Sequence, residues 1–137
     1  MADDFRSLLK EKMRDEGTGE RWFEDFDIGG IFYLSIQASS LHDSTPPELL
    51  GDVNAYKAFQ VVLQAKPGVS ICGKRGVWEH LASTDWLPLF VEDSPLLRVA
   101  ADVPVAVVQK IYEDVTACAT AHPEMLKKKS AGGVKLL

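Results

Sequence analysis

The stretch Leu87-Pro-Leu-Phe-Val-Glu-Asp-Ser-Pro-Leu-Leu-Arg-Val-Ala-Ala-Asp-Val-Pro-Val-Ala-Val-Val-Gln-Lys-Ile-Tyr-Glu-Asp-Val115 decides how this chain is read. Asp93-Ser94-Pro95 sets a capping residue ahead of a proline, the start signal of a short helix. Asp102 stands just before Pro104, a cap with a proline in the first helical turn. Val108, Ile111, Tyr112, Val115 and Ala119 then recur at helical spacing and have to be buried. Pro123, after His122, ends the run. The spacing predicts short helical pieces feeding one amphipathic helix over residues 103–121. No catalytic residue type falls on it in a usable way, so binding and assembly come before catalysis.

Before that stretch, residues 69–91 carry weaker signals. Residues 69–72 are strand-like, Gly73-Lys-Arg-Gly76 is a basic turn, residues 77–81 fit one helical turn, and residues 86–91 form an apolar loop or short extended piece. Asp52 caps a predicted helix over residues 53–65, lined by Val53, Tyr56, Phe59, Val62 and Leu63 and stopped by Pro67-Gly68. Thr45-Pro46-Pro47-Glu48 fits a capping box with proline at the first helical position, so a short turn runs to Gly51.

Nearer the N-terminus the pattern changes. Ile31-Phe-Tyr-Leu-Ser-Ile-Gln37 is rich in aromatic and β-branched residues and predicts a strand. Gly29-Gly30 turns the chain back onto residues 21–26, giving a β-hairpin. Its aromatics alternate with Asp and Glu, the wrong sign for a nucleic-acid platform. Over residues 3–16, Phe5, Leu8, Leu9 and Met13 make a thin apolar stripe on a charged helix, either packed on the core or docked on a partner. The fold class expected is therefore α+β, mainly helical, with a small antiparallel hairpin near the N-terminus. Residues 1–123 form one globular domain. Residues 124–137 form a flexible basic tail, polar and without periodicity.

Composition bounds the function. The chain has 137 residues, 46% hydrophobic and 26% charged, ordinary for a globular domain with a real core. Its net charge of -5 disfavours general nucleic-acid binding. No apolar run reaches the roughly 18 residues of a membrane span. The N-terminus lacks a secretory apolar region, so the cytoplasm is the expected location. Cys72 and Cys118 belong to no metal-ligand spacing and read as small buried apolar residues.

Motifs for nucleotide, metalloprotease and hydrolase chemistry are absent. Gly73-Lys-Arg-Gly76 is too short for a phosphate loop. Asp25, Asp27, Asp43 and Asp93 sit in no calcium loop. His122 reads as a charge partner for a helix C-terminus rather than a ligand. A Cys72–His80 nucleophile and base pair is the one catalytic arrangement on paper. No cofactor and no metal site are expected.

The order of these blocks resembles the tail assembly chaperones of long, non-contractile-tailed bacteriophages. The stretch from Phe5 to Met13 is similar to their leading helix. Arg21-Trp-Phe-Glu, then Gly30 to Asp43, resembles their opening hairpin, and Tyr56-Lys-Ala-Phe-Gln-Val-Val-Leu63 the helix after it. Pro88-Leu-Phe90, Leu96-Leu97 and Val103 to Tyr112 resemble their ending. The family's Asp-x-x-Gly turn is replaced by Lys66-Pro-Gly68 and an added segment over residues 69–85. The resemblance implies a chain that binds the tape-measure protein, keeps that long apolar helical client soluble in the host cytoplasm, and self-associates. Grooves between helices would hold the client, with no nucleic acid, membrane or cofactor involved. Partner-binding candidates are Phe5, Leu8 and Leu9 on the first helix and Trp86, Leu89 and Phe90 on the apolar loop. Lys127-Lys128-Lys129 marks where a frameshifted extended form would diverge, or simply a solvated tail. The other classes left open are a small phage or bacterial regulator acting by protein binding, and a Cys/His hydrolase.

Overall fold

The computed structural model describes residues 4–14, 16–17, 21–39, 42–48, 50, 52–66, 69 and 76–125. Among them the chain is mostly strand. β1 (Glu11–Arg14) and β2 (Arg21–Phe23) form a two-stranded antiparallel sheet. β3 (Phe26–Ile28), β4 (Phe32–Gln37), β5 (Ala58–Ala65), β6 (Val91–Ser94) and β7 (Leu97–Pro104) form an antiparallel sheet in the order β3-β4-β5-β7-β6. The one α-helix among the described residues, α1 (Val105–Ala121), covers one face of it.

The mainly helical expectation is therefore overturned, and each misread segment has a local reason. Residues 53–65 carry a real cap, since the Asp52 carboxylate accepts from the Asn54 N–H at 2.9 Å. The turn it starts is a 3-10 turn, Val53–Ala55, and the chain then extends into β5. From Phe59 on, Phe59, Val61, Leu63 and Ala65 point inward while Gln60, Val62 and Gln64 point outward. That alternation, with adjacent β-branched valines, suits a central strand better than a helix. Residues 3–16 likewise hold only the turn Phe5–Leu8, capped by Asp4, before β1. Thr45 pairs as an isolated antiparallel bridge with Ala58, and a cis Thr45–Pro46 bond follows it in place of a helical turn.

The stretch from residue 87 onward is corrected too. Asp93-Ser94-Pro95 is not a helix start: Asp93 and Ser94 end β6, and Pro95-Leu96 turns the chain into β7. Asp102 does not cap α1: it lies at φ 49°, its N–H donates to the Asp43 carbonyl at 2.8 Å, and its carboxylate accepts from the Thr45 hydroxyl at 2.8 Å. A short polar side chain tolerates that left-handed backbone by bonding locally. The helix then starts three residues later, and Val108, Ile111, Val115, Cys118 and Ala119 bury its inner face, as the spacing requires.

The N-terminal hairpin is present, one strand pair further along than expected. Gly29 and Gly30 adopt φ of 65° and 74°, and the Ile31 N–H closes the turn on the Ile28 carbonyl at 3.1 Å. Two successive positive φ angles make a type I′ turn, whose twist matches the strands it joins. β3 and β4 pair across it, while β2 pairs with β1 instead.

The core lies between α1 and the inner face of the larger sheet. Phe32, Leu34 and Ile36 of β4 meet Phe59, Val61 and Leu63 of β5, all wholly buried. Trp78, Leu81, Trp86, Phe90 and Met125 close its end. Met125, in the short turn Pro123–Met125, is fully buried, so the ordered core reaches past Pro123. The edge strand β6 is exposed throughout. Its Glu92-Asp93 pair and a register irregularity beside them discourage further strand pairing.

Candidate protein-binding face

Cross-strand register places residues on the sheet face opposite α1. Val91 of β6 pairs with Val99 of β7, Val99 with Val62 of β5, and Val62 with Ser35 of β4. The next row is Leu97, Gln64 and Tyr33. Tyr33, Val62, Leu97 and Val99 are half-buried yet lie outside the core cluster, and Val91 is 71% exposed. Together they form an apolar strip crossing four strands. Three inter-strand spacings of ~4.8 Å make it about 14 Å long, the length of two to three turns of an α-helix.

The strip ends in a recess. Ser35 and Gln60 line a hollow of about 300 Å³ with Lys12, Met13, Trp22, Asp25 and His42. Trp22 meets the His42 ring edge-on at 5.8 Å, and the His42 Nδ1 lies 2.7 Å from the Ser39 hydroxyl. Met13 is 55% exposed on β1, so the small sheet adds an apolar lip. At the other rim, Lys66 bridges to Asp27 and lies over the Tyr33 ring at 4.6 Å. The Asp27 carboxylate beside it holds the ammonium pKa above its ordinary value. The floor itself is uncharged: valines with Ser35, Gln60 and Gln64.

The sequence-predicted binding residues lie elsewhere. Phe5 is fully buried, edge-on to Phe59 at 5.4 Å, and its N–H donates to the Gln109 side chain at 2.8 Å. Trp86 and Phe90 are buried at the other end of the core, and the Trp86 indole N–H donates to the Asp114 carboxylate at 2.8 Å. Leu8 and Leu9 are half-buried, and Leu89 is 53% exposed. These six residues do not come together on one surface. The outward valines were missed because Val62 and Val99 were read without the alternation that turns them away from the core.

Among the described residues, His80, His122 and Glu124 come together at the end of α1. The rings of His80 and His122 stack with centroids 3.5 Å apart and planes 5° apart, and His122 Nδ1 lies 2.9 Å from the Glu124 carboxylate. The Glu124 backbone N–H and the His122 ring hold that carboxyl below its usual pKa. Cys118 is buried nearby on α1, while Cys72 lies outside the described residues, as does its supposed pairing with His80. Among the described residues no helix is long and apolar enough to cross a membrane. Comparison with family models, with curated proteins and with solved structures finds no match for this chain.

Proposed function

We propose that the chain is a protein-binding assembly factor, in its most specific form a tail assembly chaperone that holds an amphipathic helix of the tape-measure protein on the outer face of its sheet. The observation that carries this reading is the valine strip Val91–Val99–Val62, solvent-facing and opposite α1. One face of the sheet is already covered by a helix, and a second helix laid across the other would bury the strip in the same way. Scattered surface apolar residues need no explanation, but a contiguous strip running into a recess marks an interaction surface.

The groove between helices that the resemblance implied has no counterpart in a chain with one described α-helix. Client binding on the sheet replaces it. The uncharged floor suits an apolar helix face. Such a client is long, helical and insoluble when naked, and binding it requires no bond-making.

The test is co-expression with the tape-measure protein encoded in the same genome. Soluble tape-measure protein should be recovered with the intact chain and lost with Val62→Lys/Val99→Lys, whose outward lysines leave the core unaltered. Equal recovery with the double variant, or a genome without a tape-measure gene, contradicts the proposal.

A further inference from the structure

We infer that His80, His122 and Glu124 form a transition-metal site of the Zn2+ class, clipping the end of α1 to the turn Gly76–Leu81. Three elements supply the three side chains. His80 lies in the turn Gly76–Leu81, His122 is the residue that closes α1, and Glu124 lies in the turn Pro123–Met125. Their ligand atoms all fall within 4.8 Å of one another. The frame around them is held: the His122 N–H bonds the Cys118 carbonyl at 3.0 Å, the Met125 N–H bonds the His122 carbonyl at 3.0 Å, and Met125 is anchored in the core.

The donor set fits the metal. Two imidazoles and a carboxylate are borderline ligands that Zn2+ takes at ~2.0–2.2 Å, with tetrahedral geometry and one position left for water. Ligand atoms in such a site are roughly 3.3 Å apart, a separation that follows from those bond lengths. The 2.9 Å between His122 Nδ1 and the Glu124 oxygen is of that size, and all three ligand atoms fall within 4.8 Å of one another. Parallel rings do not aim two lone pairs at one point. Metal binding would require one imidazole to turn about its Cβ–Cγ bond, a broad torsion. The fourth position would open on the adjoining cleft of about 430 Å³, which both histidines line with Ser83, Asp85 and Asp114.

A metal held by side chains 42 positions apart in the chain ties segments that the unfolded chain leaves separate, so it stabilises the folded state by mass action. This role is independent of client binding on the opposite face of the sheet.

Tag-free full-length chain, treated with EDTA and desalted, should be titrated with ZnCl2 in a calorimeter and then melted with and without the metal. One ion per chain with a micromolar dissociation constant, and a higher melting temperature, are expected. Co2+ in place of Zn2+ should give the visible bands of a four-coordinate ion. His80→Ala and His122→Ala should each weaken binding roughly 100-fold, since loss of a mere supporting residue already costs 10–100-fold. His42→Ala and Cys72→Ser should leave it unchanged. Absence of saturable binding by the intact chain overturns the site. So does full affinity in His80→Ala or His122→Ala, which makes the cluster a ring stack with a surface ion pair, or loss of binding in either control, which puts the metal elsewhere.

Discussion

Gly29 lies directly against Ala119: a methyl group on the Gly29 Cα would fall 2.8 Å from the Ala119 Cβ. The hairpin turn and the last turns of α1 thus touch with no room for a side chain. The contact fixes how closely the helix approaches the β3–β4 end of the sheet.

Gly29→Ala should therefore be costly. The left-handed backbone at φ 65° adds about 1–2 kcal/mol for any residue with a Cβ. Overlap with Ala119 adds about 1–3 kcal/mol as the helix is pushed away. Urea denaturation should show a loss of several kcal/mol, whereas a loss near zero would mean that turn and helix do not meet.

A second prediction concerns the end of the domain. A chain ending at Met125 should melt close to the full-length chain. One ending at Pro123 lacks the fully buried Met125 and should lose about 2–5 kcal/mol, as deletion of a core side chain does. That corresponds to a fall of several degrees in Tm. Equal melting of the two would place Met125 outside the core.

Acid should weaken the N-terminal cap. The Asp4 carboxylate accepts from the Arg6 side chain at 2.7 Å and from its backbone N–H at 2.8 Å. The Arg6 side chain, with that N–H, pushes the Asp4 pKa from 3.8 down to about 2. A carboxyl depressed on folding stabilises the folded state above its unfolded pKa and loses that contribution as pH falls through the folded value. The loss should appear between about pH 4 and pH 2, be small because the pair is solvent-exposed, and shrink further in high salt. Acid titration of Asp4→Asn should lack this component. An unchanged profile would show that the pair contributes nothing.

Parts of this architecture were legible in the sequence because local signals agreed with the final structure. Gly29-Gly30 before Ile31 marks a hairpin by backbone chemistry alone, and the stripe Val108, Ile111, Val115 repeats long enough to admit only a helix. β5 was not legible in the same way. Tyr56, Phe59, Val62 and Leu63 match helical spacing, while Phe59, Val61, Leu63 and Ala65 match a strand, and only pairing with β4 and β7 chooses between them. Phe5, Leu8 and Leu9 fit one helical stripe, but a 3-10 turn buries Phe5 fully and leaves Leu8 and Leu9 half-buried. Trp86 and Phe90 belong to an apolar loop that folds inward, which composition cannot tell from one facing a partner. His80 and His122 were each placed correctly, on a helical turn and at a helix end. Their contact is tertiary and leaves no trace in the spacing.

The proposed client-binding surface is tested most directly by methyl NMR of the valine-labelled chain during titration with a tape-measure segment that forms an amphipathic helix. Val62, Val91 and Val99 methyls should shift and broaden together, while the buried Val61, Val108 and Val115 methyls behind the sheet stay in place. Shifts centred instead around Leu8, Leu9 and Leu89, or no shift at saturating segment, would contradict binding on the outer face of the sheet.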